Sequence, residues 1–182
     1  VSIAPIFTGI LAHFFLEGEK MKKSIVLGFV CAMAGICLIT FQKGETVELN
    51  PLGDFLGVAA AAIWGVYSIC SRKIAGFGYD TIITTRRTFF YGILFMLCAL
   101  PFMDFHLSLS ALLKPVNLGN IIYLGVGASA ICFVTWNYAV KSLGATRASV
   151  YIYGIPVVTI LMSIPLLHEV ITFQAMAGTV LT

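Results

Sequence analysis

Aromatic and amide side chains interrupt three long apolar runs of this sequence, and they are the residues whose chemistry suits binding. They are Trp64, Tyr67, Trp136, Asn137, Tyr151 and Tyr153. An aromatic face stacks on the apolar part of a small molecule, while an amide hydrogen-bonds to its polar end. An unpaired amide in hydrocarbon costs free energy, so Asn137 is expected to face protein or a wet cavity. For the tryptophans and tyrosines, the alternative is an aromatic belt at a membrane interface.

Side chains that could catalyse a reaction are not found in useful combinations. All eight acidic residues lie at the ends of apolar runs or between them, so no carboxylate is placed for a proton relay within a run. His13, His106 and His168 have no second metal ligand at helical spacing. Ser129 lacks the second glycine of a nucleophile motif and a histidine base. The sequence predicts no enzyme, no metal and no cofactor.

The composition of the 182-residue chain indicates an integral membrane protein. Hydrophobic residues make up 59%, charged residues only 10%, and the net charge is +3, whereas soluble domains carry roughly 25% charged residues. Disordered chains, coiled coils and nucleic-acid-binding proteins need far more polar or basic surface. We therefore expect membrane lipid around the chain and no nucleic-acid partner.

Stretches without charge predict where the chain crosses the membrane. Five of them cover residues 24–42, 55–71, 88–103, 115–140 and 148–168. A transmembrane helix needs roughly 20 mostly apolar residues, and unbroken apolar runs favour helices over the alternating strands of a barrel. Partial apolar segments at 1–16 and 170–182 bring the expected number to seven. We interpret the chain as a fragment that begins and ends within helices.

The distribution of lysine and arginine predicts the orientation of these segments. Connections after the first, third and fifth segments hold nine of the eleven basic residues, whereas the alternate connections hold only Lys43 and Lys114. Because loops rich in basic residues stay in the cytoplasm, the first set is predicted to be cytoplasmic.

A proline, a threonine, a glutamate and a glycine follow one another in the same order twice. The two copies are Pro5, Thr8, Glu19 and Gly28, then Pro156, Thr159, Glu169 and Gly178. The copies lie five segments apart, an odd number, so they are expected to cross the membrane in opposite directions. Inverted repeats of this kind are typical of secondary transporters, which bind substrate near the membrane midplane.

Within these copies, Pro5 and Pro156 are expected to kink their helices, because proline lacks a backbone N–H. Glu19 and Glu169, at helix ends, could cap a helix, pair with a base or act in gating. A stripe of small residues every four positions, which predicts close helix packing, comprises Gly53, Gly57, Ala61 and Gly65.

The chain resembles the EamA-type permeases of the drug/metabolite transporter superfamily. The matching stretches are 4–8 running to Glu19, 28–35, 53–67, 71–73, 136–149, 156–169 and Gly178. The resemblance implies an all-α, polytopic transmembrane helix bundle of ten helices in two inverted five-helix repeats. It assigns residues 1–42 to helices four and five of the first repeat. Residues 43–182 would hold helices six to the start of ten in the second repeat.

The resemblance also implies a function. The expected protein is a secondary transporter, or permease, that moves a small organic metabolite or drug-like solute by alternating access. We expect it in the plasma membrane, which in a bacterium is the inner membrane. The resemblance is compatible with two copies of the chain forming a homodimer. The alternative is a multi-helix membrane receptor or channel subunit that transports nothing; a binding site without solute uptake would favour that alternative.

Overall fold

The computed structural model describes residues 2–19, 21, 23–40, 50–103, 108–167 and 173–182. Among these residues every regular element is a helix, which confirms the expected all-α class. In chain order the α-helices are α1 (Ala4–Phe15), α2 (Lys23–Thr40), α3 (Pro51–Gly76), α4 (Thr81–Ala99), α5 (Leu109–Leu112), α6 (Pro115–Ile122), α7 (Cys132–Leu143), α8 (Ala145–Val150), α9 (Ile155–Leu167) and α10 (Phe173–Leu181).

Three further segments extend or join these helices. A 3-10 turn at Leu100–Phe102 continues α4, and another at Tyr151–Gly154 joins α8 to α9. A wide π-helical segment, Tyr123–Ile131, joins α6 to α7. As a result, several short elements form long continuous helices.

Four continuous helices within the described ranges are long and apolar enough to cross a membrane. They are Pro51–Gly76, Thr81–Phe102, Pro115–Leu143 and Ala145–Pro165. Each overlaps one of the charge-free runs of the sequence, and α2 overlaps the remaining run at 24–42. The fold is therefore the multi-pass helical membrane architecture that the sequence predicts.

The sequence predicted that the basic residues would lie in connections between helices, but several of them lie within helices. Arg72 and Lys73 belong to the last turns of α3, and Arg86 and Arg87 lie within α4. Only residues 77–80 connect these two helices, and Asp80 caps the N-terminus of α4 with its side chain. Charge-free runs underestimate helix length because helices extend beyond the hydrocarbon core, where charged side chains reach the headgroups.

The two repeat prolines have different local structures. Pro5 lies in the first turn of α1, where a helix N–H has no partner to lose, so the kink expected there is not found. Pro156 follows the 3-10 turn Tyr151–Gly154, in which the Ile155 N–H donates to the Ile152 carbonyl. In a regular helix the Ile152 carbonyl would accept from residue 156, but Pro156 has no backbone N–H to donate. The Ile155 N–H takes its place as the donor.

The chain forms two compact units, one of residues 1–70 with 143–182 (unit 1) and one of residues 71–142 (unit 2). In unit 1, α2 packs against α10 and α1 against α8. A Cβ added to Gly35 of α2 would lie 2.5 Å from the Gly178 carbonyl oxygen. This contact requires glycine, since any side chain at position 35 would push α10 away.

The small-residue stripe of α3 is used over only half its length within the described part of unit 1. Ala61 and Gly65 are buried, and a Cβ on Gly65 would lie 3.1 Å from Phe7 Cβ of α1. At Gly57, by contrast, an added Cβ would meet nothing within 4 Å. The close approach that the stripe predicts therefore occurs at its second half, against α1.

In unit 2, polar groups hold the ends of the helices together. The Arg72 guanidinium donates to the carbonyl of Lys141 at 2.6 Å, near the C-terminus of α7. The Lys141 ammonium donates in turn to the Tyr79 carbonyl at 3.3 Å. Phe89 of α4 and Phe133 of α7 pack edge to face with ring centroids 5.1 Å apart.

Candidate functional site

A space that suits a small molecule lies in unit 1, between α1, α2, α8 and the 3-10 turn. Its volume is about 530 Å³, within the range of about 300–1,000 Å³ usual for ligand pockets. The walls are mostly aliphatic, with hydroxyl groups from Ser24, Thr146, Ser149, Tyr153 and Thr182. None of the described residues that line it carries a formal charge. We call this space the unit 1 cavity.

Two of its lining residues have buried hydroxyl groups that lack a hydrogen-bond partner within the described part of the chain. Thr146 and Tyr153 are each only 5% exposed. Neither Thr146 Oγ1 nor the Tyr153 phenol oxygen has a hydrogen-bond partner among the residues that the structure describes. An unsatisfied buried hydroxyl costs about 1–3 kcal/mol. Such groups therefore mark a place where a partner is expected to bind.

Helical spacing places these hydroxyl residues on one face of the chain. Thr146, Ser149 and Tyr153 stand at positions i, i+3 and i+7, which share a helix face. Ser149 uses its hydroxyl within the helix, donating to the Thr146 carbonyl at 2.8 Å. The Tyr153 ring packs against Phe29 of α2 with ring centroids 6.1 Å apart. This face and α2 form opposite walls of the unit 1 cavity.

The structure separates the two tyrosines that the sequence analysis grouped together. Tyr151 is 73% exposed, whereas Tyr153 is buried. Tyr151 lines a different, apolar groove along α9, together with Val158 and Thr159. Side chains two positions apart on a helix point in different directions. As a result, only Tyr153 of the two tyrosines lines the unit 1 cavity.

Glu19 fixes the beginning of the helix that carries the hydroxyl face. Its two carboxylate oxygens accept hydrogen bonds from the backbone N–H groups of Ala145 at 3.1 Å and Thr146 at 2.9 Å. Gly144 has a φ of +92°, and a Cβ there would lie 2.6 Å from a Glu19 carboxylate oxygen. Of the three roles left open for Glu19, the structure shows helix capping. The negative charge also stabilises the positive end of the helix dipole.

Trp64 and Tyr67 form a pair on α3 in unit 1. Their ring centroids are 5.6 Å apart with the planes inclined by 40°. Both are half-buried, and the buried Ser68 beside them donates to the Trp64 carbonyl at 3.0 Å. Neither ring lines the unit 1 cavity. Their predicted contact with a solute stays a prediction.

Asn137 has a protein partner in unit 2. Its side-chain nitrogen donates to Thr85 Oγ1 at 2.9 Å, and Thr85 donates to the Thr81 carbonyl at 2.7 Å. Beside this chain of hydrogen bonds is a space of only about 20 Å³, which is room for about one water molecule. The neighbouring Trp136 is half-buried. The Thr85 contact meets the expectation that Asn137 would face protein or a wet cavity.

The remaining repeat positions have unlike surroundings. Pro5 and Gly28 line the unit 1 cavity. Thr8 is fully buried and donates to the Ala4 carbonyl at 3.0 Å, whereas Thr159 is exposed in the groove along α9. Gly178 packs against Gly35. Glu169 lies outside the residues that the structure describes.

Sequence reasoning missed Thr146, Ser149 and Phe29 as cavity residues. The spacing of Thr146, Ser149 and Tyr153 was a usable signal, because it places three hydroxyls on one helix face. Phe29 gave no such signal, since it is one of many apolar residues in α2. Only the packing of α2 against the 3-10 turn brings it to Tyr153.

Comparison with known proteins assigns the family. Residues 51–182 match the model of the EamA-like transporter family. The chain is a member of the EamA-like transporter family. This membership confirms the resemblance drawn from the sequence, and the four apolar helices of the described residues fit a multi-pass membrane protein. No solved structure matches the chain.

Several relatives match nearly the whole chain. The chain is 30% identical over 180 residues to an uncharacterized transporter of Archaeoglobus fulgidus. This match covers 98% of the chain and 61% of the relative. It is 28% identical over 182 residues to the uncharacterized transporter YyaM of Bacillus subtilis, covering 98% and 58%. It is also 28% identical over 178 residues to a probable terminal-alkyne amino-acid exporter of Streptantibioticus cattleyicolor, covering 98% and 58%. The chain thus spans about three fifths of the length of these relatives.

Proposed function

We propose that this EamA-family protein is a secondary transporter that moves a small organic solute across the plasma membrane by alternating access. The unit 1 cavity is its solute site. The observation that carries this proposal is the cavity of about 530 Å³ beside two buried hydroxyls that have no partner among the described residues. Such a cavity is apolar enough for the body of a metabolite and polar enough to orient it.

The depth of the cavity supports a transport site. Tyr153 is eight residues beyond Ala145, the first residue of α8, and a helix rises about 1.5 Å per residue. If Arg147 marks the cytoplasmic boundary, Tyr153 is six residues further along and lies roughly 9 Å inside a hydrocarbon core that is about 30 Å thick. Many secondary transporters bind their substrates near the midplane of the membrane, so a site at this depth suits transport.

The local structure of the hydroxyl face supports movement between two states. Helix α8 changes to a 3-10 turn at Tyr151–Gly154 before α9 begins, and interrupted helices are common at transporter sites. The Thr146 and Tyr153 oxygens are covered in this conformation. A second conformation that exposes them to the cavity would remove the cost of leaving them unpaired.

A relative's name gives a starting point for the solute. One relative is called a probable terminal-alkyne amino-acid exporter, and an amino acid with an apolar side chain has a suitable size for the unit 1 cavity. We therefore propose a small organic metabolite as the solute class and a bacterial inner membrane as the location.

Counterflow in proteoliposomes tests the proposal. The intact protein is reconstituted, the vesicles are loaded with a panel of unlabelled amino acids and amides, and uptake of the labelled compounds is followed. We expect saturable accumulation of at least one compound, which protein-free liposomes do not show. A receptor would give no uptake, and a channel would give non-saturable equilibration of the solute without counterflow. Either result would overturn the proposed function.

A further inference from the structure

We propose that the hydroxyls of Thr146 and Tyr153 form the polar subsite of the unit 1 cavity and bind an uncharged hydrogen-bonding group, such as an amide or alcohol. The rest of the solute would be apolar. This inference rests on the proposed function, because it names the solute class of the same site.

The two hydroxyls have unused hydrogen-bonding capacity. Each hydroxyl can both donate and accept a hydrogen bond, and neither oxygen is engaged by a described residue. Nearby hydroxyls are already engaged: Ser149 donates to the Thr146 carbonyl and Thr182 to the Thr179 carbonyl. Among the buried hydroxyls of the wall, those of Thr146 and Tyr153 are therefore the ones left to meet a polar group of a solute.

The oxygens lie just behind the cavity surface rather than on it. Both residues line the cavity, yet each oxygen is almost fully covered. Rotation about the Thr146 Cα–Cβ bond exchanges its methyl and hydroxyl groups, and staggered rotamers of a side chain interconvert readily. A modest rearrangement of the 3-10 turn would likewise bring the Tyr153 phenol to the cavity.

The other walls favour an uncharged solute. Ile6 and Ile10 of α1 and Val26 and Val30 of α2 line the cavity with hydrocarbon. Moving a charged group from water to such surroundings is costly unless an opposite charge meets it. The carboxylate of Glu19 is not offered to a solute cation, because it already accepts two backbone hydrogen bonds at α8.

A matched pair of solutes tests the subsite. N-acetyl-L-leucinamide and L-leucine share one side chain, but the first is neutral and the second is a zwitterion. Their affinities for the intact protein in nanodiscs are measured by isothermal titration calorimetry. We expect the amide to bind at least about tenfold more tightly, because only the zwitterion must lose the hydration of two charges. Tighter binding of leucine, or no binding of the amide, would overturn the proposed solute class.

Substitutions that delete single hydroxyls test the two residues. Tyr153→Phe and Thr146→Val should each weaken amide binding about 3- to 10-fold, the usual net effect of one hydrogen bond. Thr146→Ser, which keeps the hydroxyl, should bind like the wild type. The matched controls Tyr91→Phe and Thr135→Val alter an exposed tyrosine and a threonine whose hydroxyl donates to the Ile131 carbonyl. They should leave the affinity unchanged.

The outcomes separate this inference from the proposed function. Wild-type affinity in both Tyr153→Phe and Thr146→Val would overturn the subsite, and thermal unfolding of each variant confirms that it is folded. If those variants still accumulate a solute saturably in proteoliposomes, the protein is a transporter whose polar subsite lies elsewhere. If the wild type accumulates no solute, the proposed function fails as well.

Discussion

The carboxylate of Glu19 accepts a hydrogen bond from the backbone N–H of Thr146, 127 residues further along the chain, at 2.9 Å. The contact joins the loop after α1 to the start of α8, which forms one wall of the unit 1 cavity. It therefore sets the position of the helix that carries Thr146 and Tyr153.

Removing this cap should destabilise the protein. Glu19→Gln keeps one acceptor oxygen but loses the second and the charge, so we expect a loss of about 1 kcal/mol, typical of a lost helix cap. Glu17→Gln, which alters an exposed glutamate two residues away, is the control. The temperature at which each variant aggregates, followed by size exclusion after heating in detergent, checks this. Equal temperatures for the two variants would contradict the capping role.

Gly144 should tolerate no side chain. Gly144→Ala places a Cβ where the backbone has a φ of +92° and where a Glu19 carboxylate oxygen would be 2.6 Å away. Because ψ is 160°, this conformation is essentially restricted to glycine and costs another residue about 1–3 kcal/mol, and the clash adds to that. We expect lower expression and a lower unfolding temperature than for Gly57→Ala, where an added Cβ has open space. A Gly144→Ala protein as stable as the wild type would contradict the positive φ of Gly144 and its close contact with Glu19.

Packing of α2 on α10 should depend on Gly35 in the same way. A Cβ at position 35 would lie 2.5 Å from the Gly178 carbonyl oxygen, so Gly35→Ala must separate the two helices. We expect destabilisation of about 1–3 kcal/mol, the usual range for overpacking, measured by denaturation in mixed micelles. Gly57→Ala again serves as the control, and its stability should match or exceed that of the wild type because alanine favours helix. Equal effects would refute the close contact.

Asn137 and Thr85 should be energetically coupled. Asn137→Leu and Thr85→Val each break the same hydrogen bond of 2.9 Å, so the double variant should cost less than the sum of the two. Interhelical hydrogen bonds in membranes contribute on average about 0.6 kcal/mol and rarely exceed about 1.7, which sets the expected coupling. Strict additivity in a double-mutant cycle would contradict the coupling. If Asn137→Leu instead lost transport without losing stability, the amide of Asn137 would be assigned to solute binding.

The seven-segment orientation can be tested by cysteine labelling in a cysteine-free background. Because basic residues mark the cytoplasmic side, Lys22→Cys, Arg87→Cys and Arg147→Cys should resist an impermeant maleimide in intact cells. Glu45→Cys and Leu107→Cys should react. Positions 22, 45 and 107 lie outside the described residues, so this experiment tests the sequence prediction itself. Labelling of the first group in intact cells would reverse the orientation.

The sequence predicted the helices because membrane crossing is a matter of composition and length. Each charge-free run overlaps a helix, since about 20 apolar residues have no other stable form in lipid. The ends were predicted less well. Arg72 and Arg86 extend α3 and α4 into regions interpreted as loop, because a helix does not have to end where the hydrocarbon does.

The site was harder to predict because it depends on packing between distant segments. Tyr151 and Tyr153 look alike in the sequence, and only the 3-10 turn decides that Tyr153 is buried and Tyr151 is exposed. The repeat singled out Glu19, but the residue whose backbone it caps, Thr146, lies 127 residues away. Local propensity contains no information about such a partner.

Accessibility of a single cysteine in the unit 1 cavity tests the central claim most directly. Val150 lines the cavity and is 43% exposed, so Val150→Cys is introduced into the cysteine-free protein. Its reaction with an impermeant maleimide is measured in right-side-out and inside-out vesicles. Alternating access predicts reaction from both sides of the membrane, slowed in each case by the solute that proteoliposomes accumulate. Reaction from one side only, unchanged by solute, would contradict the assignment of the cavity as an alternately exposed transport site.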